Sequence, residues 1–512
     1  MLYRKKNFYL LLAFIVLIFS YFFVLFIVFK PNIFNWWVDD YEYVSIARNF
    51  ALFNNLNPSF YNAKTFVNSD IFPYPGYHSI LFAFLMGLFL KMFKGLGWST
   101  FLFNYINIFL MILVIIFYAK ERISKKYIPY LIIFICFFPQ IVLLANTQTM
   151  EAFFFLNIPL IYFIFFKNKN NFNLPHFIML ILLSIVLVAR YSYIFLVIFL
   201  LLFIYYDWLK NRKFLYFFTS ISSFILVTVP LWLFSIKNVK VWPAPSNFTV
   251  LNYLANNGIT SITQFGFWKD ISKIVLNNFK DLYKILSNIS NDTGTSNWLI
   301  FFIIIANILL LLFTVDKKIK KESLLVLIPE ITILVVTVFL SSVYATRHLR
   351  SIYGFIPLNI FYFFFLITRL SLKKRTIIIL FFFVLIIFSS RNTYKSYLEE
   401  KNYCISQTPN VELIYKTIEE YRKSEEMIIV GDFNAPIFKY NYNKDKFIRL
   451  ELFPLDENEF KELSNNNLID LWIINSNSYV FGEGYDSYLN NWQFDKRISG
   501  IYDQEWLIYI RK

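Results

Sequence analysis

Ser79-Ile80-Leu81-Phe82-Ala83-Phe84-Leu85-Met86-Gly87-Leu88-Phe89-Leu90 is a run of 12 charge-free residues, and whether it crosses a bilayer decides how the whole chain is threaded. A transmembrane helix needs ~20 apolar residues, with a range of ~17–25. This run is better suited to a helix at the membrane interface. Longer charge-free runs surround it: Asn7–Phe29, Gly95–Ala119, Tyr127–Met150, Ala152–Phe166, Phe172–Ala189, Tyr191–Tyr206, Phe214–Ile236, Thr293–Val315, Ser323–Thr346 (interrupted by Glu330), Ser351–Thr368 and Thr376–Ser390. With Arg4-Lys5-Lys6 placed inside and Ser79–Leu90 left unthreaded, the loops Lys120–Lys126, Lys167–Asn171, Asp207–Lys213, Asp316–Glu322 and Arg369–Arg375 all fall on the cytoplasmic side. All are rich in Lys or Arg, as the positive-inside rule requires. Threading Ser79–Leu90 would put every one of them outside. The sequence therefore predicts about eleven spans, a retained N-terminal signal anchor and an extracytoplasmic C-terminus.

Composition agrees. The 512 residues are 58% hydrophobic and 21% aromatic, the profile of a multi-pass membrane protein and not of a soluble globule. The formal net charge of +16 sits mostly in short loops between apolar runs, so it reads as topology and lipid contact and not as a nucleic-acid surface. Two cysteines, Cys136 and Cys404, are too few for a disulfide framework or a cysteine metal site.

Three stretches remain outside. The first loop, 30–94, is long and aromatic. The second, 237–292, contains Trp268–Ser290, whose spacing fits a surface helix. The third is residues 391–512, a break to ordinary soluble composition after the membrane module 1–390. There Pro409–Lys423 and Asp456–Leu463 read as helices and Met427–Val430, Leu468–Ile474 and Glu505–Ile510 as strands, together a small α/β domain. The fold class is thus mainly α, with a long first external loop carrying juxtamembrane helices and a small extracytoplasmic α/β domain.

Charged residues collect at the outward ends of the spans. Asp39, Asp40 and Glu42 follow the first span, Glu151 opens another, Arg190 separates two, and Arg347-His348-Leu349-Arg350 joins the ninth and tenth. Taken singly each has a structural reading: a carboxylate in the first turn of a helix, an arginine reaching for headgroups. Taken together they place acids and arginines from separate segments at one membrane face. Arginines grip a phosphate or pyrophosphate bidentately, and carboxylates suit deprotonation of a hydroxyl. Glu330 is the exception, set inside a span, where a charge costs ~2.5–3.5 kcal/mol at the bilayer centre.

These residues resemble a known family. Asp39-Asp40-x-x-Tyr43-x-x-x-Ala47-Arg48 is similar to the first-loop signature of the GT-C glycosyltransferases, in the branch with protein O-mannosyltransferases and aminoarabinose transferases, where the acidic pair usually reads Asp-Glu. Tyr74-Pro75-Gly76-Tyr77-His78 before the short apolar helix resembles that family's proline-rich juxtamembrane entry, Glu151 its second-loop acid, and Arg347 to Pro357 its late Arg-Tyr-Leu-x-Pro-type segment. The resemblance implies an integral-membrane enzyme of the cell envelope, in the bacterial plasma membrane. It would carry out inverting transfer of a sugar from a polyprenyl-phosphate donor to a hydroxyl acceptor on a glycolipid, glycan or protein. Asp39 would be the base, with Asp40 and Glu151 shaping the site. Arg190, Arg347 and Arg350 would hold the carrier phosphate, and Glu42, Tyr43, Tyr74, His78 and His348 would line the substrate. Some relatives use a divalent metal and others do not; here Asp39, Asp40 and Glu151 would be its ligands.

Three other readings compete. An O-antigen ligase or polymerase also works on lipid-linked glycans, but usually keeps its key residues in a large late loop. A polytopic lipid or sugar transporter predicts polar groups near the midplane in repeated halves, whereas Glu330 has no counterpart in a second half. A non-catalytic assembly subunit would use the soluble domain to bind partners.

Overall fold

The structure is a computed structural model. It describes residues 38–56, 60–62, 80–94, 98–146, 150–168, 170–236, 269, 272–273, 276, 298–312, 314, 316–340, 350–406, 408–431, 445–450, 457–475, 489–499 and 505–512. The elements begin with α1 (Val38–Phe53), β1 (Phe60–Asn62), α2 (Ile80–Met92), α3 (Trp98–Lys120), α4 (Ile128–Cys136), α5 (Pro139–Ala145), α6 (Glu151–Asn168), α7 (Leu174–Ala189), α8 (Ile194–Lys210) and α9 (Phe214–Ile236). They continue with α10 (Trp298–Leu312), α11 (Lys317–Leu340), α12 (Arg350–Tyr353), α13 (Ile356–Ile367), α14 (Leu372–Ser406), α15 (Thr408–Glu420), β2 (Ile428–Gly431), β3 (Lys446–Arg449), α16 (Glu457–Asn465), β4 (Leu471–Asn475), β5 (Trp492–Ser499) and β6 (Glu505–Arg511). Two compact units emerge. The described residues between 101 and 232 and between 298 and 397 form one; those between 38 and 100 and between 398 and 512, with 233–236, form the other.

The first unit is a helical bundle whose elements follow from the charge-free runs. The last turns of α3, α6 and α8 carry Lys120, Lys167 and Lys210, cations at the negative end of the helix dipole. Asn173 caps α7, its side chain accepting the His176 backbone N–H at 3.0 Å, which satisfies one of the N–H groups a helix start leaves open. The run Tyr127–Met150 does not form one straight helix. It forms the pair α4 and α5, bent by 58° at Phe137-Phe138-Pro139, because proline lacks the N–H that would continue the ladder and disfavours helix in the residue before it. Large apolar side chains on α9, such as Leu215, Phe218 and Leu226, stand exposed, as expected where the solvent is hydrocarbon.

Among the described residues three helices are long and apolar enough to cross a membrane, Ser99–Lys120, Glu151–Asn168 and Phe214–Ser235, or four with the bent pair. Shorter apolar helices occupy Leu174–Ala189, Leu299–Leu312 and Ile356–Ile367. The expected first span, Asn7–Phe29, lies outside the described residues, as does the expected surface helix Trp268–Ser290 except for residues 269, 272–273 and 276, which are helical. The run Ser351–Thr368 is interrupted: α12 ends at Tyr353 and α13 starts at Ile356, with Pro357 in its first turn.

In the second unit, residues 80–92 form α2, an apolar helix of 13 residues, and it packs on α1. Tyr43 meets Phe82 edge to face at 5.3 Å, Phe50 meets Phe84 at 5.0 Å, and Lys91 donates to the Asn54 Oδ1 at 2.6 Å. Gly87 is required for this approach, since a Cβ there would lie 2.9 Å from the Ala47 carbonyl oxygen. The rest of the unit is a six-stranded sheet in the order β1-β3-β2-β4-β6-β5, parallel from β1 to β4 and antiparallel thereafter. Alternation along the strands builds a core on each face. Ile429, Phe447 and Ile473 pack with Ile414 and Ile418 of α15, while Val430, Ile448 and Trp472 pack with Phe460 and Leu463 of α16.

The three expected strands and two expected helices of the C-terminal segment are present within a few residues as β2, β4, β6, α15 and α16. The structure adds β3, β5 and β1. It also divides the chain differently from the expected cut after residue 390. The first loop groups with the C-terminal segment because Phe60, Tyr61 and Asn62 pair in parallel with Phe447, Ile448 and Arg449. The boundary falls inside α14, one continuous helix of 35 residues.

Candidate active site

In the helical unit the site is built at helix ends. Glu151 is the first residue of α6, and Arg190 is the residue that caps the C-terminus of α7. Each charge sits at the end of its helix that favours it, a carboxylate at an N-terminus and a guanidinium at a C-terminus. They meet directly: Arg190 Nη2 donates to Glu151 Oε1 at 2.9 Å, with the glutamate side chain 1% and the arginine 16% exposed. A carboxylate this deeply buried is sustained only by such a partner. The Arg190 guanidinium also lies over the Phe154 ring, 5.4 Å from its centroid, one turn along α6 from Glu151, which holds the guanidinium from a second direction.

The late segment closes on this pair. The Tyr193 ring packs 4.8 Å from Phe154 and 6.2 Å from Phe355. Between them runs Gly354, at the break between α12 and α13. A Cβ on Gly354 would lie 2.4 Å from Ile158 Cδ1, 2.8 Å from the Tyr193 hydroxyl and 3.1 Å from Phe154 Cβ. Only glycine lets this backbone come so close. The consequence is that α12, which begins at Arg350, is carried by a segment seated on the residues that hold Arg190. Sequence reading had put Glu151, Arg190 and Arg350 on one membrane face. The structure pairs the first two and seats the segment of the third beside them.

In the other unit, Asp39 and Asp40 lie in the first turn of α1 and Glu42 follows in the same helix. Tyr43 is buried in the α1–α2 interface. Tyr74, His78, Arg347 and His348 lie outside the described residues. Among the described residues no three His, Cys, Asp or Glu side chains gather as a metal site would require, and the Glu151 carboxylate is engaged by Arg190.

Sequence reading missed Gly354, Tyr193 and Phe154. The Gly-x-x-Pro spacing from Gly354 to Pro357 carried the signal, since glycine closely followed by proline marks a break inside an apolar run.

An apolar helical bundle combined with a mixed α/β unit of this kind defines the class: the chain is an integral membrane protein with a fold already seen in solved structures. The solved structures that share it include two crystal structures of ArnT from Cupriavidus metallidurans. The one bound to undecaprenyl phosphate aligns with a TM-score of 0.54 at 11% identity, and the apo one with 0.54 at 12%, each over 97% of this chain and 98% of the other. No family model matches the sequence, and no curated protein matches it.

Proposed function

We propose that the chain is an inverting membrane glycosyltransferase. It would move a sugar from a polyprenyl-phosphate-linked donor to a hydroxyl acceptor on the non-cytoplasmic face, in a bacterial plasma membrane. The observation that carries this reading is the buried Glu151–Arg190 pair, with Gly354 of the Arg350-bearing segment seated on Phe154 and Tyr193 beside it. A guanidinium held in a fixed plane at a helix end is suited to an anionic headgroup. The undecaprenyl phosphate bound by ArnT, which has the same fold, supports a carrier of that chemistry.

In the reaction the acceptor hydroxyl oxygen attacks the anomeric carbon from the face opposite the leaving group. Its proton passes to the Asp39 carboxylate as the bond forms. The bond from the anomeric carbon to the phosphate oxygen breaks, and the electron pair leaves with the polyprenyl phosphate. Arg190, Arg347 and Arg350 stabilise the charge that develops there. Asp40 shapes the site beside Asp39, and Glu151 fixes the plane of Arg190. Glu42, Tyr43, Tyr74, His78 and His348 contribute to substrate binding.

The test is transfer in sealed vesicles with the C-terminal segment facing outward, polyprenyl-phosphate sugar in the bilayer and a hydroxyl acceptor supplied outside. Transfer of label to the external acceptor supports the reading. Translocation of intact donor lipid without transfer would replace the enzyme with a transporter.

A further inference from the structure

Glu330 lies in the middle of α11 and is fully buried, although nothing in the proposed chemistry uses it. Its Oε1 accepts from the Asn359 side-chain amide of α13 at 2.6 Å. Asn307 of α10 donates in turn to the Asn359 backbone carbonyl at 3.0 Å. Three helices are therefore joined at one buried polar point. A second tie lies one turn earlier on α11. Pro329 has no N–H to offer the carbonyl four residues back, and that carbonyl, of Leu325, accepts instead from the Tyr162 hydroxyl of α6 at 2.8 Å. So α11 is fastened to α6 by one bond and to α13 by the other.

The two anchored helices are the ones that meet at the candidate site. Helix α6 carries Glu151, Phe154 and Ile158. Helix α13 follows Gly354, with Asn359 five residues beyond that glycine. The contact of Gly354 with Ile158, Tyr193 and Phe154 tolerates little slippage, since the space is already filled to atomic contact. Apolar packing alone is permissive of small shifts along a helix, whereas a buried polar pair fits one register only.

We propose that Glu330 is a positioning residue. Through Asn359 it sets the register of α13 against α6, and so places the Arg350–Gly354 segment at the Glu151–Arg190 pair. This rests on the glycosyltransferase reading above. A register role needs an oxygen acceptor at this point and not a negative charge.

The test compares Glu330→Gln, which keeps the acceptor, with the double variant Glu330→Leu/Asn359→Leu, which keeps the volume and removes the polar pair. Purified proteins are assayed in lipid for thermal midpoint and for KM and kcat with a polyprenyl-phosphate sugar. The double variant should fold with an unchanged or raised midpoint, as apolar replacement of a buried polar pair often gives. Its KM for the donor should still rise about tenfold, the size of a good interhelical hydrogen bond in a membrane, while kcat falls less. Glu330→Gln should keep KM near the parent value. A stable double variant with parental KM overturns the proposal, as does a Glu330→Gln protein as impaired as the double. Should the double variant not fold, Glu330→Met/Asn359→Leu, which also removes both the acceptor and its donor, replaces it with the same criteria. A parent protein that neither turns over a polyprenyl-phosphate sugar nor is stabilised against heat by undecaprenyl phosphate sinks the glycosyltransferase reading itself, whatever the variants do.

Discussion

Glu151 and Glu330 are both buried carboxyl groups of the helical unit, and they are satisfied in opposite ways. Glu151 stands at a helix start, faces a guanidinium at 2.9 Å and has a helix dipole behind it. Glu330 stands in a helix interior and, among the described residues, accepts from the amide of Asn359. The first environment answers a charge with a charge, which suits a group that orients an arginine for a substrate anion. The second offers a neutral donor, which suits a group whose task is shape. The difference separates carboxyls that work as charges from those that work as hydrogen-bond acceptors. Neutral isosteres tell them apart.

The largest effect is expected at Asp39, which the reading treats as a working charge. Asp39→Asn keeps the outline and removes the basicity, and should lower transfer by ~10²–10⁴-fold, the usual share of a general base. Donor binding should change far less; transfer and lipid binding measured on the same reconstituted protein separate the two. Activity near the parent level would move the base elsewhere and erase the contrast with Glu330.

Next in size is Glu151→Gln. It leaves Arg190 without its counter-charge in a buried place, and should cost about 3 kcal/mol of stability, the low end for a broken buried pair because Arg190 keeps some contact with solvent. Thermal or denaturant unfolding in detergent reads this directly. An unchanged midpoint would show that the pair is not holding charge, which removes the basis of the comparison.

The paired substitution Arg347→Ala with Arg350→Ala should weaken the donor by roughly 10- to 100-fold, from loss of charge-assisted contacts worth ~1.5–3 kcal/mol. The protein should stay folded. Parental kinetics from that variant would make both arginines lipid anchors only.

The smallest effect is expected at Gly354→Ala. The added methyl collides with Ile158 Cδ1 and the Tyr193 hydroxyl, both at the far ends of side chains that can move. A cost of about 1–2 kcal/mol is expected, typical of mild overpacking, read as a lowered thermal midpoint with a raised donor KM. A midpoint equal to the parent's would mean that the α12–α13 break tolerates a shift away from α6.

The sequence was most legible where one physical variable dominated. Charge-free length marked α3, α6, α7, α9 and their neighbours, and the short run at 80–90 as a helix of its own, α2, packed on α1. Period-two patterning marked β2, β4 and β6. It could not mark β1, a stretch of three residues that is a strand only because β3 lies beside it. Nor did it mark β3, short and ended by Lys446 and Arg449, or β5, whose outward face is polar and whose alternation is broken by a bulge between Phe494 and Lys496. At the site, chemistry picked out Glu151 and Arg190 as charges worth explaining. Their pairing depends on tertiary distance, which spacing along the chain does not encode. Gly354 was visible as a letter in a motif, but its necessity comes from three side chains contributed by other segments.

The pairing of Phe60 with Phe447 has a consequence for the order in which the protein is made. Those partners are separated by about 390 residues, and a ribosome adding roughly 5–20 residues per second needs on the order of 20–80 s to cover that distance. For all that time the first loop is finished, yet the strand that will bind it does not exist. The first strand of the sheet is thus translated long before any of its partners, and it waits unpaired until β3 has been made. The unit that carries Asp39 can therefore be completed only after the helical unit, residues 101–397, has been made.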